Sequence, residues 1–302
     1  MPEKTLLVIT GPTGVGKTEV AIQLALAAGT EIVSADSRQL FRDIPIGTAA
    51  PTSEELALVK HHFVGILDLE DYYSAAQFEV DVLQLLKSLF VKHDVVVMCG
   101  GSMMYVDAVC NGIDLLPTIS NEVRQQVAIL WHSHGEEALR KELLRLDPDY
   151  YAQVDLCNAK RVAHAIEICL QAGVPYSSLR IGKKKPRDFR IIKVALNMPR
   201  PLLFDRINRR VSKMIQQGLI DEVKRVYPLR HLNSLNTVGY KEMFAWLDGM
   251  MDYDTAVARI AKNTRVYAKK QLTWYAKDPD ILWLSPDDAS PEFLLSLNAS
   301  SG

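Results

Sequence analysis

Eight residues near the amino terminus, Gly11-Pro12-Thr13-Gly14-Val15-Gly16-Lys17-Thr18, restrict the fold of this 302-residue chain more than any other stretch. They fit G-x-x-x-x-G-K-[ST], a pattern that works only where a strand ends and a helix begins. The flanks comply. Leu6 to Ile9 is an apolar run of strand length, and Glu19 to Ala28 carries apolar residues at helical spacing before Gly29 closes it. Glycines let successive N–H groups curl around an anion, and the helix N-terminus adds partial positive charge. Lys17 adds a full charge, and the Thr18 hydroxyl offers a ligand to Mg²⁺. Gly11 through Thr18 are therefore expected to bind a phosphate chain, whose carrier the loop does not reveal.

The rest of the chain reads as α/β. Glu31 to Ala35 forms a second strand ending in Asp36-Ser37-Arg38-Gln39, and in a parallel sheet the carboxyl ends of strands line the ligand crevice. Asp36 there suits a general base, although a turn or helix cap is the commoner fate of Asp in an Asp-Ser pair. Ser53 to about His62 suggests a short helix. The adjacent His61 and His62 would point apart, which argues against a shared metal. A helix is expected from Ala75 to Lys92, with Phe78, Val82, Leu85, Leu86 and Leu89 on its apolar face, followed by a buried strand from Asp94 to Cys99. That strand runs into Gly100-Gly101-Ser102, where P-loop hydrolases usually carry an acid.

From Asn121 to Ala172 the pattern is helical throughout (122–133, 136–146 and 158–171) with no strand between. The expectation is a P-loop NTPase-like parallel sheet flanked by helices, built from residues 1–115 and 190–302, with an all-helical insertion over 116–189. A returning strand at 191–196, a basic helix from Pro201, a helix in which Ile260, Tyr267 and Trp274 form the packed stripe, a strand at 281–284 and a frayed end from Ala289 complete the chain.

Charge is segregated although the net is −1. Residues 180–213 carry twelve Lys or Arg against two Asp, and residues 259–277 carry six and no acid. Two readings stay open on charge alone: a polyanionic partner held by distributed cations, or a pair of solvated helix faces. Cys99, Cys110, Cys157 and Cys169 lack C-x-x-C spacing, so free buried thiols are the default. No apolar run reaches membrane-span length, and a cytoplasmic protein is expected.

Several elements together resemble the tRNA dimethylallyltransferase (isopentenyltransferase) family, of bacterial type. They are the P-loop, Asp36-Ser37-Arg38-Gln39, Ile46-Gly47-Thr48-Ala49, Tyr73-Ser74-Ala75-Ala76-Gln77-Phe78, Gly100-Gly101-Ser102-Met103-Met104-Tyr105, Val238-Gly239-Tyr240-Lys241-Glu242 and Ala268-Lys269-Lys270-Gln271-Leu272-Thr273-Trp274. The resemblance implies transfer of a dimethylallyl group from dimethylallyl diphosphate to the N6 amine of the adenosine 3′-adjacent to the anticodon (position 37), in tRNAs reading codons that begin with U. By the family pattern Asp36 accepts the amine proton, and Thr13 and Arg210 act on the diphosphate held by Gly11, Pro12, Thr13, Gly14, Val15, Gly16, Lys17 and Thr18. Mg²⁺ sits at Thr18. The same pattern makes tRNA contacts of Asp36, Ser37, Arg38, Gln39, Ser102, Arg124, Lys160, Arg161, His164, Thr237, Gly239, Tyr240, Lys241, Lys269, Lys270, Gln271, Thr273 and Trp274. The anticodon stem–loop is the implied partner, and a monomer is the default.

Ala50, His164, Lys270 and Ala276 depart from the residues usual at those positions, away from the reacting centre. Competing readings are an adenylate isopentenyltransferase using free adenine nucleotides, a small-molecule kinase, and a non-catalytic RNA-binding protein.

Overall fold

The computed structural model describes residues 3–114 and 116–299. Its centre is a sheet of six parallel strands: β1 (Thr5–Thr10), β2 (Ile32–Ser34), β3 (His61–His62), β4 (Val95–Cys99), β5 (Arg190–Leu196) and β6 (Ile281–Leu284), in the order β3-β2-β4-β1-β5-β6. All six residues of β1 are buried because helices cover both faces. Successive side chains of β1 go to opposite cores, Leu6 and Val8 to one and Leu7 and Ile9 to the other. This explains continuous apolar strands where a one-sided sheet would alternate.

Beside the sheet stand α1 (Lys17–Ala28), α2 (Ser53–Leu58), α3 (Ala75–Lys92), α4 (Met103–Asn111), α9 (Arg200–Gln216), α10 (Leu219–Val226), α11 (Tyr240–Leu247), α12 (Tyr253–Tyr275) and α13 (Pro291–Ala299). The helical segment contributes α5 (Asn121–Leu146), α6 (Pro148–Tyr151), α7 (Ala159–Ala172) and α8 (Tyr176–Leu179). The chain divides into two compact units, one of Met1–Cys110 with Pro186–Gly302 and the other of Asn111–Lys185. The second has its own core, in which Leu139, Leu143, Val162 and Ile166 are fully buried.

Local departures from the sequence expectations have physical causes. The helix after Pro51 is capped by Thr52 through a capping box with Glu55 and stops at Leu58. His61 and His62 instead form β3, with separate partners: the Val59 carbonyl for His61 Nδ1 at 2.8 Å and Glu31 for His62 Nε2 at 2.6 Å. The two helices expected at 122–133 and 136–146 are both present, meeting within α5 at a kink at Gly135, whose φ of 75° and ψ of −174° are not helical.

The packed stripe of α12 runs through Ala256, Ile260, Thr264, Ala268, Gln271 and Tyr275, whereas Tyr267 and Trp274 are 36% and 37% exposed. A strict seven-residue repeat drifts by about 20° per heptad on a straight helix. The stripe expected from Ile260 therefore slides off the core, and spacings of four and three residues replace it. The end from Ala289 is no frayed tail: α13 buries Leu294 completely, and Asn298 accepts a hydrogen bond from the Thr5 hydroxyl at 2.6 Å. Residues 300–302, and residue 115 at the expected domain boundary, lie outside the described residues. All four cysteines are free; Cys110 and Cys169 are buried as expected, while Cys99 is partly exposed and Cys157 exposed.

Candidate active site

β1, β2 and β4 all end at the same edge of the sheet, so the turns that follow them share one crevice. After β1, Gly14 and Gly16 adopt positive φ (87° and 106°), which L side chains resist, and Gly16 caps α1 in the left-handed region. Lys17 thereby starts α1 with its ammonium folded toward the loop, donating to the Gly11 and Pro12 carbonyls at 3.1 and 2.9 Å. Burial lowers its pKa to about 8; the neighbouring Cys99 and Asp36 act against this shift, and Arg210 adds to it. Burial likewise pushes the Cys99 thiol up to about 11, so it stays protonated beside Lys17.

A cleft of about 830 Å³ opens over this loop. It is lined by Thr13, Gly14, Gly16, Lys17 and Thr18, by Asp36 and Gln39 after β2, by Gly100 and Gly101 after β4, and by the segment from Pro45 to Glu55. From α9 come Arg206, Arg210 and Lys213, spaced four and three residues apart on one helix face. Arg210 donates to the Thr13 hydroxyl at 2.7 Å, while its Nε is buried without a partner among the described residues. Desolvation lowers the Arg210 pKa, and Asp36 offsets part of that cost.

Asp36 serves the turn and faces the cleft together. Its Oδ1 accepts from the backbone N–H groups of Arg38 (2.9 Å) and Gln39 (3.4 Å). Ser102 Oγ accepts from the Ser37 N–H at 2.8 Å, tying the end of β4 to the same turn. Arg38 donates to the Asn233 and Ser234 carbonyls, and the Gln39 amide donates to those of Thr48 and Ala49.

The residues that the family pattern assigns to tRNA thus fall into four groups. Asp36, Ser37, Arg38, Gln39 and Ser102 form a hydrogen-bonded rim of the cleft. Lys241, Lys269, Lys270, Thr273 and Trp274 are exposed, Trp274 with its indole N–H on Asp107 at 3.0 Å. Gly239, Tyr240 and Gln271 are buried and Thr237 half-buried. Arg124 on α5 and Lys160, Arg161 and His164 on α7 are exposed within the helical unit, on positions that leave Val162, Ala165 and Ile166 to its core.

Three contributors escaped the sequence reading. Arg206 and Lys213 were legible as cations, and their four- and three-residue offsets from Arg210 were the signal that they share its face. Glu222, 2% exposed, gave none: it accepts from the Ile46 and Gly47 N–H groups at 2.9 and 2.8 Å and from the Tyr240 hydroxyl at 2.6 Å, holding the cleft's upper loop.

Fold and site together define a P-loop α/β protein of the transferase type, with three cations of one helix and a carboxylate gathered over the loop. The IPP transferase family model matches residues 39–278, and the chain belongs to that family. It is 54% identical over 300 residues to tRNA dimethylallyltransferase 1 of Phocaeicola vulgatus, covering 99% of this chain and 100% of the relative. Identity to tRNA dimethylallyltransferase 1 of Bacteroides fragilis is 51% over 300 residues, 99% of each chain. Among solved structures, the full-length tRNA isopentenylpyrophosphate transferase of Bacillus halodurans matches with a TM-score of 0.70 and 33% identity, over 98% of this chain and 95% of that one. A eukaryotic dimethylallyltransferase captured acting on tRNA matches with a TM-score of 0.80 and 25% identity, over 98% of this chain and 77% of that one.

Proposed function

We propose that the protein transfers a dimethylallyl group from dimethylallyl diphosphate to the N6 amine of the adenosine at position 37, beside the anticodon, in tRNAs reading codons that begin with U. The observation that carries this reading is the convergence of Lys17, Arg210-bonded Thr13 and Asp36 on one cleft, in a chain about half identical to named tRNA dimethylallyltransferases. The allylic carbon–oxygen bond breaks, its electrons leave with the diphosphate, and the N6 nitrogen bonds to the carbon. The amine proton passes to Asp36.

Backbone N–H groups of the P-loop, Lys17, Thr13 and Arg210 bind the leaving group and stabilise its growing charge. The unpartnered Arg210 Nε supports that role, since a buried donor without an acceptor is costly until an anion supplies one. Thr18 lines the cleft and offers a hydroxyl oxygen, the kind of hard donor that suits Mg²⁺. When bound there, the ion neutralises diphosphate charge. The exposed cations of α12 and of α7 bind the stem–loop backbone, and the target base is extruded from its stack into the cleft. Among the described residues no helix is long and apolar enough to cross a membrane. A cytoplasmic monomer fits this role.

The test is incubation with Mg²⁺ and labelled dimethylallyl diphosphate, with unmodified tRNA or free AMP as acceptor in parallel. Label in tRNA alone is expected. Label in AMP, or in neither, overturns the reading.

A further inference from the structure

The end of β4 lacks an acid, and a glutamine from a distant helix takes its place beside the P-loop. Gln271, on α12, is 1% exposed, and both ends of its amide are used. Its Oε1 accepts from the Thr13 N–H at 2.8 Å and its Nε2 donates to the Gly101 carbonyl at 2.7 Å. The amide has one acceptor end and one donor end, so this bridge has a single orientation. Gly101 makes room for it, because a Cβ there would lie 2.4 Å from Gln271 Nε2. Thr13 is consequently held twice, by its backbone from α12 and by its hydroxyl from Arg210 of α9. Lys269, Lys270 and Thr273, the neighbours of Gln271 on α12, are exposed.

We propose that Gln271 is a positioning residue of the diphosphate site and not an RNA contact: it braces the P-loop against the end of β4 so that the N–H groups beyond Thr13 keep the curl an anion requires. The inference rests on the functional reading above for the identity of the anion. The bridge ties Thr13 N–H to α12, leaving the following amides to the ligand, and couples the helix that carries exposed cations to the loop. A loop that must be ordered by its ligand binds more weakly than one already held.

The experiment compares the wild type with Gln271→Met, which keeps the side-chain volume and removes both bonds, and with Lys270→Ala. Affinity for inorganic diphosphate with Mg²⁺ is measured by calorimetry without RNA, and affinity for an unmodified anticodon stem–loop RNA by fluorescence anisotropy without diphosphate. For Gln271→Met the diphosphate Kd should rise about tenfold, the scale of one lost hydrogen bond, with the RNA Kd within twofold. Lys270→Ala should show the reverse pattern. Gln271→Glu, which keeps the acceptor for Thr13 but sets two oxygens against each other at Gly101, gives the same readout if the Met variant does not fold. Unchanged diphosphate affinity in a folded variant, or an RNA affinity that falls as far as the diphosphate affinity, overturns the inference. A wild type that binds diphosphate yet transfers nothing to tRNA sinks the functional reading and leaves the diphosphate comparison intact.

Discussion

Arg210 Nη2 donates to the hydroxyl of Thr13 at 2.7 Å, joining residues 197 positions apart in the chain. The contact sets the guanidinium against the loop that begins the phosphate site, with Nε still unpartnered. Arg210→Lys keeps the charge but loses the planar fork. Single-turnover transfer to tRNA should slow about a hundredfold, the scale of one lost transition-state donor, with the tRNA Kd unchanged.

Asp36 has two duties that one substitution separates. Asp36→Asn retains an Oδ1 for the Arg38 and Gln39 N–H groups, preserving the turn, and removes the proton acceptor. The rate of transfer should drop at least about a hundredfold, with thermal stability and tRNA affinity near those of the wild type. Equal losses of transfer and tRNA affinity would make Asp36 a structural residue.

Lys17 sets an alkaline limb. Its pKa in the free protein is lowered to about 8 by burial, so the fraction carrying charge falls as pH rises through that value. A phosphate chain binds the charged form, and bound anion raises the pKa, so donor affinity is full below 8 and weakens toward tenfold per pH unit above it. Titrating the donor Kd from pH 6 to 10 should reveal this limb in the wild type. It should be absent in Lys17→Met, which binds weakly throughout.

Glu222 anchors the loop over the cleft. Glu222→Ala leaves two backbone N–H groups without an acceptor and the buried Tyr240 hydroxyl with only the Ile44 carbonyl at 3.2 Å, and should cost about 3 kcal/mol in urea unfolding. Tyr240→Phe removes only the hydroxyl and should cost about 1 kcal/mol. A Glu222→Ala protein as stable as the wild type would show that water replaces the carboxylate.

Elements whose burial follows from local pattern were legible in the sequence. The helix expected over 75–92 is α3 with the same bounds, and the apolar run ending at Cys99 is the strand β4. The phosphate loop, the carboxylate after β2 and the Gly-Gly ending of β4 were each visible as short motifs. The α12 stripe was misjudged because three residues seven apart looked like a seam. A straight helix packed on a core follows 3.6 residues per turn, and the small residues Ala256, Thr264 and Ala268 carry no pattern strong enough to announce the true face.

The division has one physical cause. Strand and helix formation, the left-handed glycines of the loop and the clustering of cations at 206, 210 and 213 depend on residues a few positions apart, and the sequence determined them by itself. The bonds of Thr13 to Gln271 and Arg210, of Ser102 to Ser37 and of Glu222 to the Ile46–Gly47 backbone join groups separated by 258, 197, 65 and about 175 positions. A hydrogen bond is specified to a few tenths of an ångström. No periodicity records such pairings, and only the pairing of β2 with β4 and the packing of α9, α10 and α12 on the core decided them.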